Sequence, residues 1–198
     1  MIRVGVVLAG GQSRRMGQDK ALMRFRDERL LDRALGKLGR QVDVLLLNRA
    51  DRPVNIDESV TLISDHHSGF QGPLAGVHAA LSFMAEQRLS DAALFTVPVD
   101  SPFIPMNLVA RLSQTDQPVG FASSQGQRHP VFARWPASAL PIIDTALRQG
   151  ERKIDRVASI LGFEEVAWEL TTDGAGRVVD PFANVNTIDE FNDLSAPH

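Results

Sequence analysis

Residues 6–20 read VVLAGGQSRRMGQDK. The stretch opens with the end of an apolar, β-branched run over residues 2–8, which predicts a buried strand. Three glycines and three basic residues then crowd the turn that follows: Gly10, Gly11, Gly17, Arg14, Arg15 and Lys20. Glycines let backbone amides approach oxygen atoms closely, and cations add charge-assisted donors. The pattern therefore predicts a phosphate-binding loop at the carboxyl end of the first strand, where open α/β sheets bind their ligands.

The two most familiar phosphate loops do not match this stretch. A P-loop requires G-x-x-x-x-G-K-[ST], but the glycine spacing differs and Gln18 follows Gly17. A dinucleotide fingerprint requires G-x-G-x-x-G, but Gly10 and Gly11 are adjacent. The mismatch argues against hydride transfer and leaves two interpretations, a phosphate loop of another kind or a glycine turn with solvated arginines.

Composition limits the class of protein. The chain has 198 residues, 43% of them hydrophobic and 23% charged, which is enough for one sizeable core. Its net charge of −3 argues against nucleic-acid or membrane partners. The absence of cysteine excludes disulfides, thiolate metal sites and a cysteine nucleophile. No apolar run approaches the roughly 18 residues of a membrane-spanning helix, and we expect a cytoplasmic location.

Hydrophobic periodicity predicts alternating strands and helices in the first half. The strands are expected over residues 2–8, 42–47, 60–63 and 92–97, and the helices over 28–39, 73–88 and 106–112. In the second half we expect strands over 119–122, 131–135 and 165–170, and helices over 138–149, 151–161 and 188–194. Alternation of this kind predicts an α/β fold with a mostly parallel central sheet covered on both faces.

The opening loop also resembles a known signature. The pattern L-A-G-G-x-x-x-R-M-G-x-x-K over residues 8–20 is similar to that of nucleotidyltransferases that attach a nucleoside monophosphate to a phosphorylated acceptor. Within them the chain resembles the molybdenum cofactor guanylyltransferases, which join GMP from GTP to molybdopterin. Five further motifs agree in family order: GPLAG at 72–76, VPVDSPFIP at 97–105, RHPVF at 128–132, GERKI at 150–154 and NVNT at 184–187.

The resemblance implies a fold and a division of labour along the chain. The fold is a three-layer α/β/α, Rossmann-like nucleotidyltransferase domain that spans residues 1–198. Its nucleotide-binding half covers about residues 1–115, and its acceptor-binding half about residues 116–198. The implied partners are GTP and molybdopterin, together with molybdenum-insertion and molybdoenzyme maturation proteins, and we expect a monomer.

The resemblance also implies a magnesium site and catalytic cations. Asp100 follows the fourth predicted strand, where a carboxylate suits Mg²⁺, and the family's metal aspartate stands there. The alternative role for Asp100 is a helix cap, but it lies several residues before the helix predicted at 106. Lys20 and Arg15 are the implied catalytic cations for the leaving pyrophosphate, with Arg14 a weaker candidate. The alternative for all three is a solvated surface cation.

Nucleotide and acceptor contacts follow from the same comparison. The implied GTP contacts are Leu8, Ala9, Gly10, Gly11, Lys20, Asn48, Asp65 and Asp100. The implied acceptor contacts are Arg128, Arg152, Asn184 and Asn186. Turn chemistry is the alternative for Asn48 and Asp65. Surface charge or a helix cap is the alternative for the acceptor residues, and His66 and His67 are interpreted as loop histidines.

Three functions remain open at this point. The first is guanylyl transfer, and the second is a related transferase that uses CTP with molybdopterin or acts on a sugar phosphate. The third is a nucleotide-binding module without turnover, against which the presence of both Lys20 and Asp100 argues. Relatives that use CTP usually carry L-A-A-G and D-Q-P where this chain has Gly10 and Ser101. A glycine at position 10 leaves room for the larger purine.

Overall fold

The computed structural model describes residues 1–10, 19–49, 54–65 and 72–185. The main strands are β1 (Arg3–Leu8), β4 (Val44–Asn48), β5 (Val60–Ile63), β6 (Ala93–Pro98), β7 (Val119–Ser124), β8 (Gln127–Pro136) and β9 (Phe163–Trp168). They form one seven-stranded sheet in the order β5-β4-β1-β6-β8-β7-β9. Only β8 runs antiparallel to its neighbours. The prediction of a mostly parallel central sheet is therefore confirmed.

Five helices flank the sheet within the described ranges. They are α1 (Leu30–Gly39), α2 (Pro73–Glu86), α3 (Leu108–Leu112), α4 (Leu140–Arg148) and α5 (Ile154–Leu161). Buried side chains of α2, α4 and α5 pack on one face of the sheet, and those of α1 and α3 pack on the other. None of the helices in these ranges combines the length and the apolar character that crossing a membrane requires.

The buried strand β1 shows how the two layers form. Val4 and Val6 belong to the core on the α2 side, while Val7 belongs to the core on the α1 side. This alternation follows from the two-residue period of a strand. A methyl group built on Gly5 would lie 2.9 Å from the side chain of Leu38, so glycine permits the close approach of α1. The apolar run is thus buried on both faces, as parallel strands usually are.

Several predicted boundaries were wrong for identifiable reasons. The helix expected from residue 28 begins at Leu30, because Glu28–Arg29 (β3) pairs with Arg24–Phe25 (β2) in a small hairpin. The helix expected from 151 begins at Ile154, because the Glu151 carboxylate accepts hydrogen bonds from the two following amides.

Other boundaries shifted by a few residues. The helix expected over 138–149 begins with a 3₁₀ turn at Ala137–Ala139, and the strand expected over 165–170 spans Phe163–Trp168. The strand expected over 131–135 is longer and begins at Gln127. The helix predicted over 188–194 lies outside the described residues.

A second small hairpin follows β9 and was not predicted. Thr171–Thr172 (β10) pairs with Val178–Val179 (β11), and Asp173 ties the turn between them. The Asp173 carboxylate is 1% exposed and accepts bonds from Arg26 Nη2 at 2.6 Å and from Arg177 Nε at 3.1 Å. Burial raises the pKa of Asp173, but bonds from the amides of Arg177 and Ala175 and from both arginines outweigh it, and the pKa falls to about 2.

We expect Asp173→Asn to lower the melting temperature at neutral pH, because the charge that holds both arginines is lost. The pKa of this carboxyl group is lower in the folded state than in the unfolded state. Its stabilising contribution is therefore full above the unfolded pKa of about 4 and is lost as the pH falls towards about 2. Thermal unfolding of both proteins from pH 6 to pH 3 measures this. A difference in melting temperature that stays constant across that range would contradict the assignment.

Candidate active site

A cleft opens at the carboxyl ends of β1, β4 and β6. Its volume is about 290 Å³. The lining residues come from both halves of the chain: Leu8, Ala9, Gly10, Asp19, Lys20, Ala21, Asn48, Asp65, Gly72, Pro73, Pro98, Val99, Asp100, Val131 and Asn184. They include every predicted nucleotide contact except Gly11, which lies outside the described residues.

Main-chain hydrogen bonds continue beyond the strands and bring the loops together. The Ala9 amide donates to the Asn48 carbonyl at 2.9 Å, and the Val99 amide donates to the Leu8 carbonyl at 3.1 Å. The first loop and the segment leading to Asp100 therefore start side by side. This contact explains why residues more than 80 positions apart share one cleft.

Lys20 and Asp100 meet in this cleft. Lys20 Nζ lies 3.1 Å from Asp100 Oδ2, and the two side chains are 19% and 20% exposed. Asp100 does not cap α3, because Asn107 occupies the N-cap position of that helix. The carboxylate thus faces the cleft beside an ammonium group, as expected of a site that handles phosphate and a divalent cation.

Asp100 is the carboxylate of the cleft that the sequence predicts as a metal ligand. Among the described residues, no three His, Cys, Asp or Glu side chains cluster closely enough to hold a metal ion. Magnesium is commonly bound by one or two carboxylates together with water and substrate phosphates. Asp100, in a cleft with room for a ligand, fits that description.

The segment 180–185 forms hydrogen bonds with Asp100 and with the residue that follows it. The Val185 amide donates to the Asp100 carbonyl at 2.9 Å, and the buried Ser101 hydroxyl donates to Asn184 Oδ1. The hydrogen bond from Ser101 thus holds the side chain of Asn184, which lines the cleft.

Three polar side chains, two on α1 and one just after its end, hold the loop that follows Asp100 and were not predicted from the sequence. Arg33 Nε donates to the Pro102 carbonyl at 2.8 Å, Lys37 Nζ to Ile104 at 3.0 Å, and Gln41 Nε2 to Pro105 at 3.0 Å. Burial and the nearby Arg33 charge lower the pKa of Lys37 to about 8. The four-residue spacing of Arg33 and Lys37 was the available signal for the two on α1, because such positions share one helix face.

Asn48 and Asp65 were expected to contact the nucleoside, and the structure places them together. Asn48 Nδ2 donates to Asp65 Oδ1 at 2.9 Å, and Asn48 is 3% exposed. Methyl groups built on Gly76 and Gly10 would lie 2.7 Å and 3.3 Å from the Asn48 amide oxygen. Gly10 after β1 and Gly76 in α2 therefore leave room for this one side chain.

The structure brings one of the four predicted acceptor residues to the cleft. Asn184 lines it, whereas Arg128 pairs with Asp155 at 3.0 Å and also with Glu165. Arg152 Nη1 donates to the carbonyls of Leu147 and Glu151 at 3.1 and 2.8 Å. Neither arginine lines the cleft. Five other residues named in the sequence analysis lie outside the described ranges: Arg14, Arg15, Asn186 and the loop histidines His66 and His67.

A hydrogen-bonded relay near the cleft was also missed. Ser124 Oγ donates to Asp180 Oδ2 at 2.7 Å and lies 2.7 Å from His129 Nε2. Because the Ser124 hydroxyl donates its one hydrogen to Asp180, it accepts a hydrogen bond from His129 Nε2. In a neutral imidazole Nε2 then carries the hydrogen, and Nδ1 is the acceptor nitrogen. Burial lowers the pKa of His129, and the Asp180 charge opposes this effect. The relay fastens the segment 180–185 to the strand that carries Val131.

Fold and site together define an α/β nucleotide-binding protein of the nucleotidyltransferase type. Residues 5–166 match the MobA-like NTP transferase domain, and the chain belongs to that family. The molybdenum cofactor guanylyltransferase of Rhizobium johnstonii is 38% identical over 193 residues, which cover 94% of this chain and 88% of that protein.

Two solved structures share the fold at lower identity. The molybdopterin-guanine dinucleotide biosynthesis protein A of Archaeoglobus fulgidus has a TM-score of 0.71 at 22% identity, covering 98% of this chain and 97% of that one. A Mycobacterium tuberculosis protein solved as a complex with manganese has a TM-score of 0.67 at 15% identity, covering 98% of each chain.

We expect Gly76→Ala to weaken nucleotide binding, because the new methyl group would meet Leu8 at 2.6 Å and Asn48 Oδ1 at 2.7 Å. Gly36→Ala is the matched control. It is also a glycine inside a helix, but nothing lies within 4 Å of the added methyl group. The control should gain up to about 1 kcal/mol of stability, since alanine is the better helix former. Calorimetric titration with GTP compares the two variants, and equal affinities would contradict the predicted role of Gly76.

Proposed function

We propose that the protein transfers GMP from GTP to molybdopterin, forming molybdopterin guanine dinucleotide and pyrophosphate. The observation that carries this is the Lys20–Asp100 pair in the cleft at the carboxyl edge of the sheet. It stands in a chain that belongs to the MobA-like NTP transferase family. Close relatives that match nearly the whole chain are named for the same reaction.

The reaction needs no nucleophile from the protein. A phosphate oxygen of molybdopterin attacks the α-phosphorus of GTP, a new P–O bond forms, and the bond to the bridging oxygen of pyrophosphate breaks. The residues at the cleft have to hold the two phosphates in line and balance the charge that moves onto the leaving group. Lys20 is placed for the second task, and Arg15 is predicted to assist it.

Magnesium is the proposed cofactor, with Asp100 as its ligand from the protein. When bound, the ion neutralises phosphate charge and polarises the phosphoryl group. The position of the Asp100 carboxylate beside Lys20, in a cleft with room for a ligand, supports this, because magnesium is commonly bound by one or two carboxylates together with water and substrate phosphates. The manganese complex of the mycobacterial structure shows that a protein of the same fold binds a divalent cation.

Molybdopterin is assigned to the side of the cleft formed by Asn184 and Val131. Asn184 lines the cleft there and carries an amide group, which can donate to an oxygen of the acceptor, and Asn186 is predicted to join it. Arg128 and Arg152 remain predicted acceptor contacts, but each would have to release its present protein partners to receive a phosphate. We further propose that the protein is a cytoplasmic monomer and that its partners include molybdenum-insertion and molybdoenzyme maturation proteins.

We expect Asp100→Asn to lower turnover by about 10²-fold or more, because it keeps the shape and removes the charge that holds the metal. Asp91→Asn is the control, since it makes the same change at an exposed position before β6. Pyrophosphate release at saturating GTP is measured over a range of Mg²⁺ concentrations, with circular dichroism to confirm the fold. Normal turnover of Asp100→Asn with unchanged Mg²⁺ dependence would refute the metal assignment.

We expect the unmodified protein to prefer GTP strongly over CTP, and Gly10→Ala to shift the preference partly towards CTP. The added methyl group would lie 3.3 Å from Asn48 Oδ1 and would narrow the space for a purine. Sites built to bond a ligand's N–H groups reject ligands that lack them, because polar groups are left unpaired. Product formation from molybdopterin is measured with each nucleotide at equal concentration. A preference of the unmodified protein for CTP would overturn guanylyl transfer and leave the fold intact.

A further inference from the structure

Arg49 is a buried arginine that contacts Asp19, the residue before Lys20. It follows Asn48 at the end of β4 and is 4% exposed. Its Nη2 forms an ion pair with Asp19 Oδ2, and its Nη1 lies 3.5 Å from Asp19 Oδ1. A charge is rarely buried unless it is paired, so the fold commits this guanidinium to Asp19.

Asp19 in turn fixes the backbone on which Lys20 stands. Its Oδ1 accepts the amide of Ala21 at 3.2 Å, and its carbonyl accepts the amide of Leu22 at 2.9 Å. These bonds close the 3₁₀ turn Lys20–Leu22, whose Ala21 is buried against the α1 side of the core. The position of the Lys20 backbone is thus set by its immediate neighbour.

Arg49, the other partner of the ion pair with Asp19, is held by the sheet. The Arg49 amide donates to the Ile63 carbonyl at 3.0 Å, which extends the pairing of β4 with β5. Successive side chains of an extended segment point to opposite faces. Asn48 therefore meets Gly76 on the α2 side of the sheet, while Arg49 meets Asp19 on the other side.

We propose that Asp19 and Arg49 are positioning residues that hold Lys20 for the outer phosphates of the nucleotide. The proposal rests on the proposed function, in which Lys20 contacts the leaving pyrophosphate. The chain of contacts runs from the sheet through Arg49 to Asp19, then through the 3₁₀ turn to Lys20, whose Nζ lies 3.1 Å from Asp100. Neither positioning residue is required to touch the substrate.

A double-mutant cycle tests this dependence. Affinities for Mg·GTP and for GMP are measured by calorimetry on Asp19→Asn, Lys20→Ala and the double variant. Asn keeps an oxygen for the Ala21 amide but loses the charge that pairs with Arg49. We expect each single variant to bind Mg·GTP about tenfold more weakly and GMP within about twofold of the unmodified protein. The double variant should bind Mg·GTP no more weakly than Lys20→Ala alone.

Two further variants separate positioning from stability. Asp19→Asn combined with Arg49→Met removes both charges of the pair, so that no charge is left buried without a partner, and it should fold and still bind Mg·GTP weakly. Asp173→Asn is the matched control. It breaks another largely buried ion pair outside the cleft, and it should lower the melting temperature while leaving the affinity for Mg·GTP unchanged.

The outcomes distinguish this proposal from the proposed function. Losses that add in the Asp19→Asn, Lys20→Ala double variant, or that are equal for Mg·GTP and GMP, would overturn the positioning role. The cycle is run with whichever nucleoside triphosphate the unmodified protein binds most tightly. Tightest binding of CTP would therefore overturn guanylyl transfer, while the result of the cycle still decides the role of Asp19 and Arg49. If the unmodified protein binds no triphosphate, both proposals fail.

Discussion

The parallel pairing of β1 with both β4 and β6 is the constraint on which the site depends. Leu8 is the register partner of Asn48 on one side and of Pro98 on the other. The three strands therefore end at one level, and the loops that leave them begin in contact. A slip of one residue would turn the buried valines of β1 to the wrong faces, so burial fixes the register and the register fixes the site.

The two faces of the sheet then contribute in different ways. On the α1 side, polar contacts brace the loops: Arg33 and Lys37 hold carbonyls after Asp100, and Arg49 holds Asp19. On the α2 side, Gly76 provides space in which the Asn48 amide can sit. The contacts on the α1 side therefore fix the loops, and the glycine on the α2 side leaves space for the Asn48 side chain. A site that is preorganised for a large ligand requires both.

Hydrophobic periodicity predicted the fold class, and the resemblance implied that Leu8, Asn48, Asp65 and Asp100 share one site; all four line the cleft at the carboxyl edge of the sheet, where open α/β sheets bind ligands. The sequence could not predict the pairing of Asp19 with Arg49, since an ion pair across 30 residues leaves no local pattern. The hairpin of β2 with β3 was missed because two-residue strands carry no measurable periodicity.

The lack of a local pattern for long-range contacts also explains why Arg128 and Arg152 were predicted as acceptor contacts but do not line the cleft. A basic residue in a loop suggests a phosphate contact, but the sequence does not say which carboxylates will fold against it. Arg128 stands near Glu165 only because β9 joins the sheet beside β7, and near Asp155 only because of where α5 begins. Whether a charged residue marks a binding site thus depends on which distant elements fold against it. Which residues meet at the strand ends depends only on the order of the strands in the sheet.

Asp19 and Lys20 are adjacent, but their ion pairs differ in what binding requires of them. The pair of Asp19 has to persist while the ligand binds, and the pair of Lys20 has to change partners. The Lys20–Asp100 pair is about one-fifth exposed on both sides, so water offsets part of the cost of separating it. A nucleoside triphosphate with a divalent cation offers a phosphate oxygen to the ammonium group and a cation to the carboxylate, so each charge keeps a partner. Arg49 has no such substitute, because its side chain is 3% exposed and a lost partner would leave its charge buried. The pair that must change during binding is therefore partly solvated on both sides, whereas the pair that holds the 3₁₀ turn has one partner, Arg49, that is closed to water.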